Sequence, residues 1–256
     1  MQRLSFNNNG INLSYLDSGG NGQVLIALHA HWLEAQTFVP LASALSPKWR
    51  VIALDQRGHG YSDHAKTYTR NDYLSDLEAF FKHLGIESPV VLLGNSLGGV
   101  NSYHFAARHP SLVRAIIVED IGVEIVSDVS FSLAWKGMFR TKEELEQKIG
   151  ERFLPYLKDS IRNTNDGWKL AFDPQEMLES NNLVTEVNHW KDWLASNCPA
   201  LLIRGEDSRV TTQEHMEEMA HLRPNTHLNT LKGGHVVHID NPTDFTKILK
   251  EFLGSI

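Results

Sequence analysis

The chain has 256 residues, with 24 Lys+Arg against 31 Asp+Glu and a formal net charge of −7. At 41% hydrophobic and 21% charged residues it has the composition of an ordinary globular protein, which excludes disordered, collagenous and coiled-coil classes. The acidic balance, with no Lys/Arg stripe to offset it, argues against nucleic acid as a partner. No apolar run reaches the roughly 18–20 residues of a membrane span. The single Cys198 excludes an internal disulfide framework and a thiolate zinc site. The first residues, Met1 to Asn7, lack an apolar stretch, so no secretory leader is expected and a cytoplasmic location is the default.

Leu4 to Tyr15 carries an Asn-Asn-Asn-Gly turn at 7–10 between alternating apolar stretches, which predicts a β-hairpin. Short apolar runs follow at Val24–Leu28, Val51–Leu54, Val90–Leu93, Ala115–Val118, Leu201–Ile203 and His227–Leu231. Between them lie helical patterns, including Tyr73–Leu84 and Leu97–Arg108. Strand–helix units with two-sided apolar strands predict an α/β fold, a mostly parallel sheet covered by helices on both faces. From Gly122 to Asn197 this rhythm breaks into mainly helical periodicity, as over Lys142–Leu157, with four tryptophans at 135, 168, 190 and 193. Residues 122–197 are therefore expected to form a helical cap inserted before the penultimate strand, with 1–121 and 198–256 as the two parts of the sheet domain.

The run Val90 to Gly99 sends an apolar strand into Gly94-Asn95-Ser96-Leu97-Gly98 and then into a helix. That is the context of a nucleophile elbow: a sharp turn holds the Ser96 hydroxyl clear of the sheet, and flanking glycines let two backbones approach closely. The helix N-terminus that follows favours developing negative charge.

With this elbow, the chain resembles α/β-hydrolase-fold serine hydrolases over nearly its whole length. Further resemblance lies in Leu28-His29-Ala30-His31, in Asp55-Gln56-Arg57-Gly58-His59-Gly60-Tyr61-Ser62-Asp63, and in Gly233-Gly234-His235 followed by Asn241-Pro242. It implies Ser96 as nucleophile and His235 as general base, an imidazole being able to cycle a proton near neutral pH. The resemblance also implies oxyanion donors at the backbone N–H groups of Leu97 and His31, although Ala30 stands where the family usually has Gly. His29 and His59 read as loop-ordering residues and His238 as a packing or supporting one. The His29-x-His31 pair lacks further ligands, so no metal and no other cofactor is predicted.

The acid departs from the common pattern. Most of the family has Gly-x-x-Asp after the penultimate strand, whereas Gly205-Glu206-Asp207-Ser208 puts Ser208 at that position and Asp207 one residue early. In an extended chain a one-residue slip reverses the side chain's face. A second carboxylate, Asp120, ends the strand after the nucleophile helix, and strands roughly 4.8 Å apart would let it reach the same imidazole. Asp120-Ile121 with Gly-x-x-Ser, and the run Asp166 to Asp173, resemble small bacterial esterases related to the abhydrolase-domain-containing protein 11 group. Asp120 is the expected acid, Asp207 the alternative and Ser208 a supporting residue. Glu119 should face away from the site, its burial requiring a partner.

The expected activity is hydrolysis of a small-molecule carboxylic ester or thioester through an acyl-enzyme on Ser96. Carbon–carbon bond hydrolysis or lyase-type chemistry on the same residues, and a low-turnover ligand sensor, are the alternatives. Trp135, Met138 and Phe139 are candidates either for an apolar acyl pocket or for the cap's own core.

Overall fold

The computed structural model describes residues 1–185 and 187–256. Strands β1 (Gln2–Asn8) and β2 (Ile11–Asp17) form the predicted hairpin, turning through Asn9 and Gly10 at φ 49° and 90°, as a two-residue primed turn requires. Alternating strands and helices follow: β3 (Gln23–Leu28), α1 (Val39–Leu45), β4 (Trp49–Leu54), α2 (Arg70–Leu84), β5 (Val90–Asn95), α3 (Leu97–Arg108) and β6 (Val113–Glu119). The chain then leaves the sheet for α4 (Lys142–Ile149), α5 (Leu154–Leu157), β7 (Ile161–Thr164), β8 (Gly167–Leu170), α6 (Pro174–Thr185) and α7 (Trp190–Leu194). It returns as β9 (Ala200–Gly205), α8 (Gln213–Leu222), β10 (Thr226–Leu231), α9 (Val237–Asp240) and α10 (Pro242–Ser255).

The main sheet has eight strands in the order β1-β2-β4-β3-β5-β6-β9-β10. Only β1–β2 and β2–β4 pair antiparallel; the other pairings are parallel. Side-chain alternation divides the core in two. Ile26, Leu28, Leu92, Ile116 and Val118 pack with α2 and α3 on one face. Leu25, Ala27, Leu93, Ile117 and Leu201 pack with α1 and α10 on the other. Both faces of the central strands are consequently apolar and buried, as their unbroken apolar runs predict.

The excursion between β6 and β9 corrects the helical expectation. The Lys142–Leu157 pattern breaks at Gly150, whose φ of 79° ends α4. Beyond α5, β7 and β8 pair antiparallel across a turn ending at Gly167, φ 132°. Backbone bonds between Phe139 and Trp168, 2.8 Å in both directions, tie that hairpin to the preceding loop. Four-residue strands with alternating exposure carry too little apolar signal to be told from loop in the sequence.

Candidate active site

Ser96 joins β5 to α3 with φ 51° and ψ −114°, a conformation that costs a non-glycine residue about 1–3 kcal/mol. Two backbone bonds hold it: the Ser96 N–H donates to the Glu119 carbonyl at 2.9 Å, and the Ser96 carbonyl accepts from the Val100 N–H at 3.0 Å. The flanking glycines are obligatory here. A Cβ on Gly94 would lie 2.1 Å from the Gly98 carbonyl oxygen, and one on Gly98 would lie 2.1 Å from the Leu28 carbonyl oxygen. Both obstacles are backbone atoms, so Gly98→Ala should destabilise the protein by about 3 kcal/mol or more, read from the denaturant midpoint. An unchanged midpoint would show that the elbow has more room than this packing allows.

Register brings the acidic pair beside the elbow. Asn95 is level with Glu119, and Glu119 with Ile203, so Ser96 and Asp120 leave adjacent strand ends together. Asp120, fully buried and at φ 52°, turns its carboxylate back toward β9. Oδ1 accepts the Gly205 N–H at 2.9 Å; Oδ2 accepts the Ser208 hydroxyl at 2.5 Å and bonds His235 Nδ1 at 2.7 Å. Asp207 is exposed, and its backbone N–H donates to the Gly233 carbonyl at 2.9 Å. The chain after Gly205 is a turn closed by Ser208 N–H to Gly205 carbonyl, 3.1 Å, and not an extended strand. This turn aims Ser208 at Asp120.

Glu119 is fully buried, and the partner its burial demands is His238. Its carboxylate accepts the His238 backbone N–H at 2.8 Å and bonds the ring Nδ1 at 2.7 Å, while the ring stacks on Phe38 with centroids 4.7 Å apart. Consecutive carboxylates thus take two histidines of one loop, Glu119 taking His238 and Asp120 taking His235. Asn95 is a residue the sequence reading passed over: its side-chain amide donates to the carbonyls of His235 at 3.0 Å and Glu119 at 3.2 Å. Its place between Gly94 and Ser96 was the available signal.

Ser96, Leu97, His31, Asp207, Ser208 and His235 all border one cavity of about 370 Å³. Its apolar wall includes Trp32, Phe131 and Phe153, not the Trp135, Met138 and Phe139 considered from sequence. Trp135 is buried behind that wall, edge-on to Trp32 at 5.3 Å, Met138 is 46% exposed, and the Phe139 backbone pairs with Trp168. Spacing alone could not separate the wall from the layer behind it, because both are aromatic.

The early loop is built on neutral imidazoles. Burial pushes His31 well below its usual pKa, helped by the nearby His59 and Arg70, and burial lowers His29 to about 4. His29 accepts the Gln56 N–H on Nε2 at 3.0 Å and holds the Ala30 carbonyl through Nδ1 at 2.7 Å; His59 Nδ1 bonds the Arg57 carbonyl at 2.9 Å. Both order loops, as expected. The Asp55–Asp63 run is also structural, with Asp55 accepting the Ala35 N–H and Arg57 gripping Asp76 through two nitrogens at 2.7 and 2.9 Å.

Strand order, elbow and a last loop that returns a histidine to the C-terminal sheet edge together define the α/β hydrolase class. Residues 21–248 match the alpha/beta hydrolase family, and the chain belongs to it. It is 27% identical over 251 residues to 2-(acetamidomethylene)succinate hydrolase of Mesorhizobium japonicum, covering 91% of this chain and 89% of that protein. It is 26% identical to the sn-1-specific diacylglycerol lipase ABHD11 of Mus musculus, covering 94% of this chain and 85% of that one. Among solved structures it is similar to a marine microorganism esterase, with a TM-score of 0.80 at 26% identity over 94% of this chain and 98% of that one. Among the described residues, no helix is long and apolar enough to cross a membrane.

Proposed function

We propose that the protein is a serine hydrolase that cleaves carboxylic esters or thioesters of small molecules. The observation that carries this reading is the Asp120–His235 bond beside a serine in a strained elbow on the same cavity. Asp120 holds the proton on Nδ1, which directs Nε2 to take the Ser96 hydroxyl proton. Ser96 Oγ then bonds the substrate carbonyl carbon, and the carbonyl oxygen becomes an oxyanion that accepts the N–H groups of Leu97 and His31. Collapse expels the alcohol or thiol, which takes the proton from His235. Water activated by the same imidazole releases the acid and restores Ser96. Ser208 shares Asp120 Oδ2 with the imidazole and so fixes the carboxylate. Residues 122–197 act as a cap that supplies the pocket's Phe131 and Phe153.

A fluorophosphonate probe should label the wild-type protein on Ser96. A panel of short- and long-chain acyl esters and thioesters should show turnover that the probe abolishes. Turnover that survives complete labelling would refute the reading. Similarity to a relative named for hydrolysing an acetamido-substituted succinate favours a second reading, cleavage of a non-ester bond by the same residues. Amide or enamide turnover without ester turnover would select it.

A further inference from the structure

Three side chains of the 122–197 segment hold the loop that carries His31. Ser180, on α6 and fully buried, bonds the His31 ring Nε2 at 2.9 Å and the Tyr73 hydroxyl at 2.9 Å. Ser160, 1% exposed, donates its hydroxyl to the Trp32 carbonyl at 2.8 Å. Arg162 Nη2 donates to Glu34 Oε2 at 2.5 Å, where the Glu34 side chain is 3% exposed. The held loop is one that needs holding. Trp32 sits at φ 70°, a left-handed conformation that a bulky residue keeps only when its surroundings enforce it. Its indole is surrounded edge-on by Phe131, Trp135 and Phe153 of the same segment, at 5.7, 5.3 and 6.0 Å.

From this geometry we infer that Ser160 and Ser180 are positioning residues for the oxyanion site, fixing the His31 N–H through the Trp32 carbonyl and the His31 ring. The inference rests on the serine-hydrolase reading above. Within the loop, a backbone bond from the Leu33 N–H to the Ala30 carbonyl, 3.3 Å, is long and closes only a single turn. The sheet therefore delivers the loop, but the inserted segment sets the peptide plane on which the His31 N–H points. Ala30 sharpens the need, since a residue with a Cβ has fewer backbone conformations than the glycine common there. Ser180 can serve both neighbours because a hydroxyl donates once and accepts, and the neutral His31 ring offers it a fixed partner.

The experiment compares wild type with Ser180→Ala, Ser160→Ala and the double variant, using p-nitrophenyl butyrate as substrate. Losing one oxyanion donor outright costs roughly 10²–10³ in kcat, so misplacing it should cost the double variant about 10- to 100-fold in kcat with KM nearly unchanged. The second readout is a trifluoromethyl ketone, whose carbonyl carbon is attacked by Ser96 Oγ while its oxygen takes the negative charge and His235 the proton. Affinity for this ketone should fall by the same factor as kcat/KM, while affinity for the butyrate product stays level. A purely packing role would move the melting temperature or KM and leave that ratio alone. Near-wild-type kcat and ketone affinity in a folded double variant would overturn the inference. Should the double variant not fold, Ser180→Ala alone is read by the same two criteria, with a smaller expected loss. Ser96→Ala run beside them separates the two ideas: active Ser96→Ala refutes the serine-hydrolase reading, whereas inactive Ser96→Ala with normal serine-clamp variants refutes only the clamp.

Discussion

Replacing Ser96 by Ala should lower kcat for ester hydrolysis by about 10⁴-fold or more, the scale of loss when a serine hydrolase is deprived of its nucleophile. The substitution removes one hydroxyl and leaves the elbow intact, since alanine keeps a Cβ at the same backbone position and the bonds to Glu119 and Val100 involve only main-chain atoms. What residual rate remains would come from oxyanion donors and bound water, which cannot form an acyl-enzyme. Steady-state kinetics beside a thermal melt checks this. A Ser96→Ala protein within about tenfold of wild type would assign the chemistry elsewhere, because no accelerating device in the proposed mechanism bypasses Oγ.

Asp120→Asn should be nearly as damaging, about 10³- to 10⁴-fold in kcat, whereas Asp207→Asn should stay within about threefold of wild type. The asymmetry follows from the donors around each carboxylate. Asp120 faces the Gly205 N–H on one oxygen, and the Ser208 hydroxyl and His235 Nδ1 on the other. An amide has a single acceptor oxygen. Turned toward His235, it sets its NH₂ against the Gly205 N–H; turned the other way, it donates to Nδ1 and forces the ring proton onto Nε2. In that tautomer the imidazole cannot accept a proton from Ser96. Asp207 offers no such constraint, being exposed and anchored through its backbone N–H. The paired asparagine variants, matched by circular dichroism and melting temperature, distinguish the two acids. Loss of activity in Asp207→Asn alone would reverse the assignment.

The paired dyads explain why the acid can sit on β6 in this chain. With Ser208 where other members carry Asp, the hydroxyl bonds the carboxylate that β6 supplies, so the imidazole meets its acid from the neighbouring strand. Glu119 and His238, one step along from Asp120 and three from His235, close a second link between β6 and the histidine loop. Asn95 adds a third, reaching the His235 carbonyl from the elbow. His235 is thereby tied to the strand ends on either side of Ser96.

Much of this was determined by the sequence alone. The hairpin turn, the parallel strands and the elbow are local features, set by Asn9-Gly10, by apolar runs too continuous for a one-sided sheet, and by Gly94 and Gly98 flanking Ser96. Asp120 could be chosen over Asp207 because a strand's alternation fixes which side a residue faces, and strand spacing fixes what it can reach. Tertiary structure alone decided the rest. That Glu119 would find His238, that Trp32 rather than Trp135 would meet the cavity, and that Ser160 and Ser180 would reach back to residues 32 and 31 are contacts between segments more than a hundred residues apart, in two cases 128 and 149. A serine hydroxyl carries no periodicity and no charge, and its partner depends on how an irregular segment folds over the sheet edge. The opening arithmetic of 31 acidic residues therefore showed only that carboxylates were plentiful. Packing selected the two at the end of β6 for the buried histidine loop, because only there do donors on both sides offset the cost of burying them.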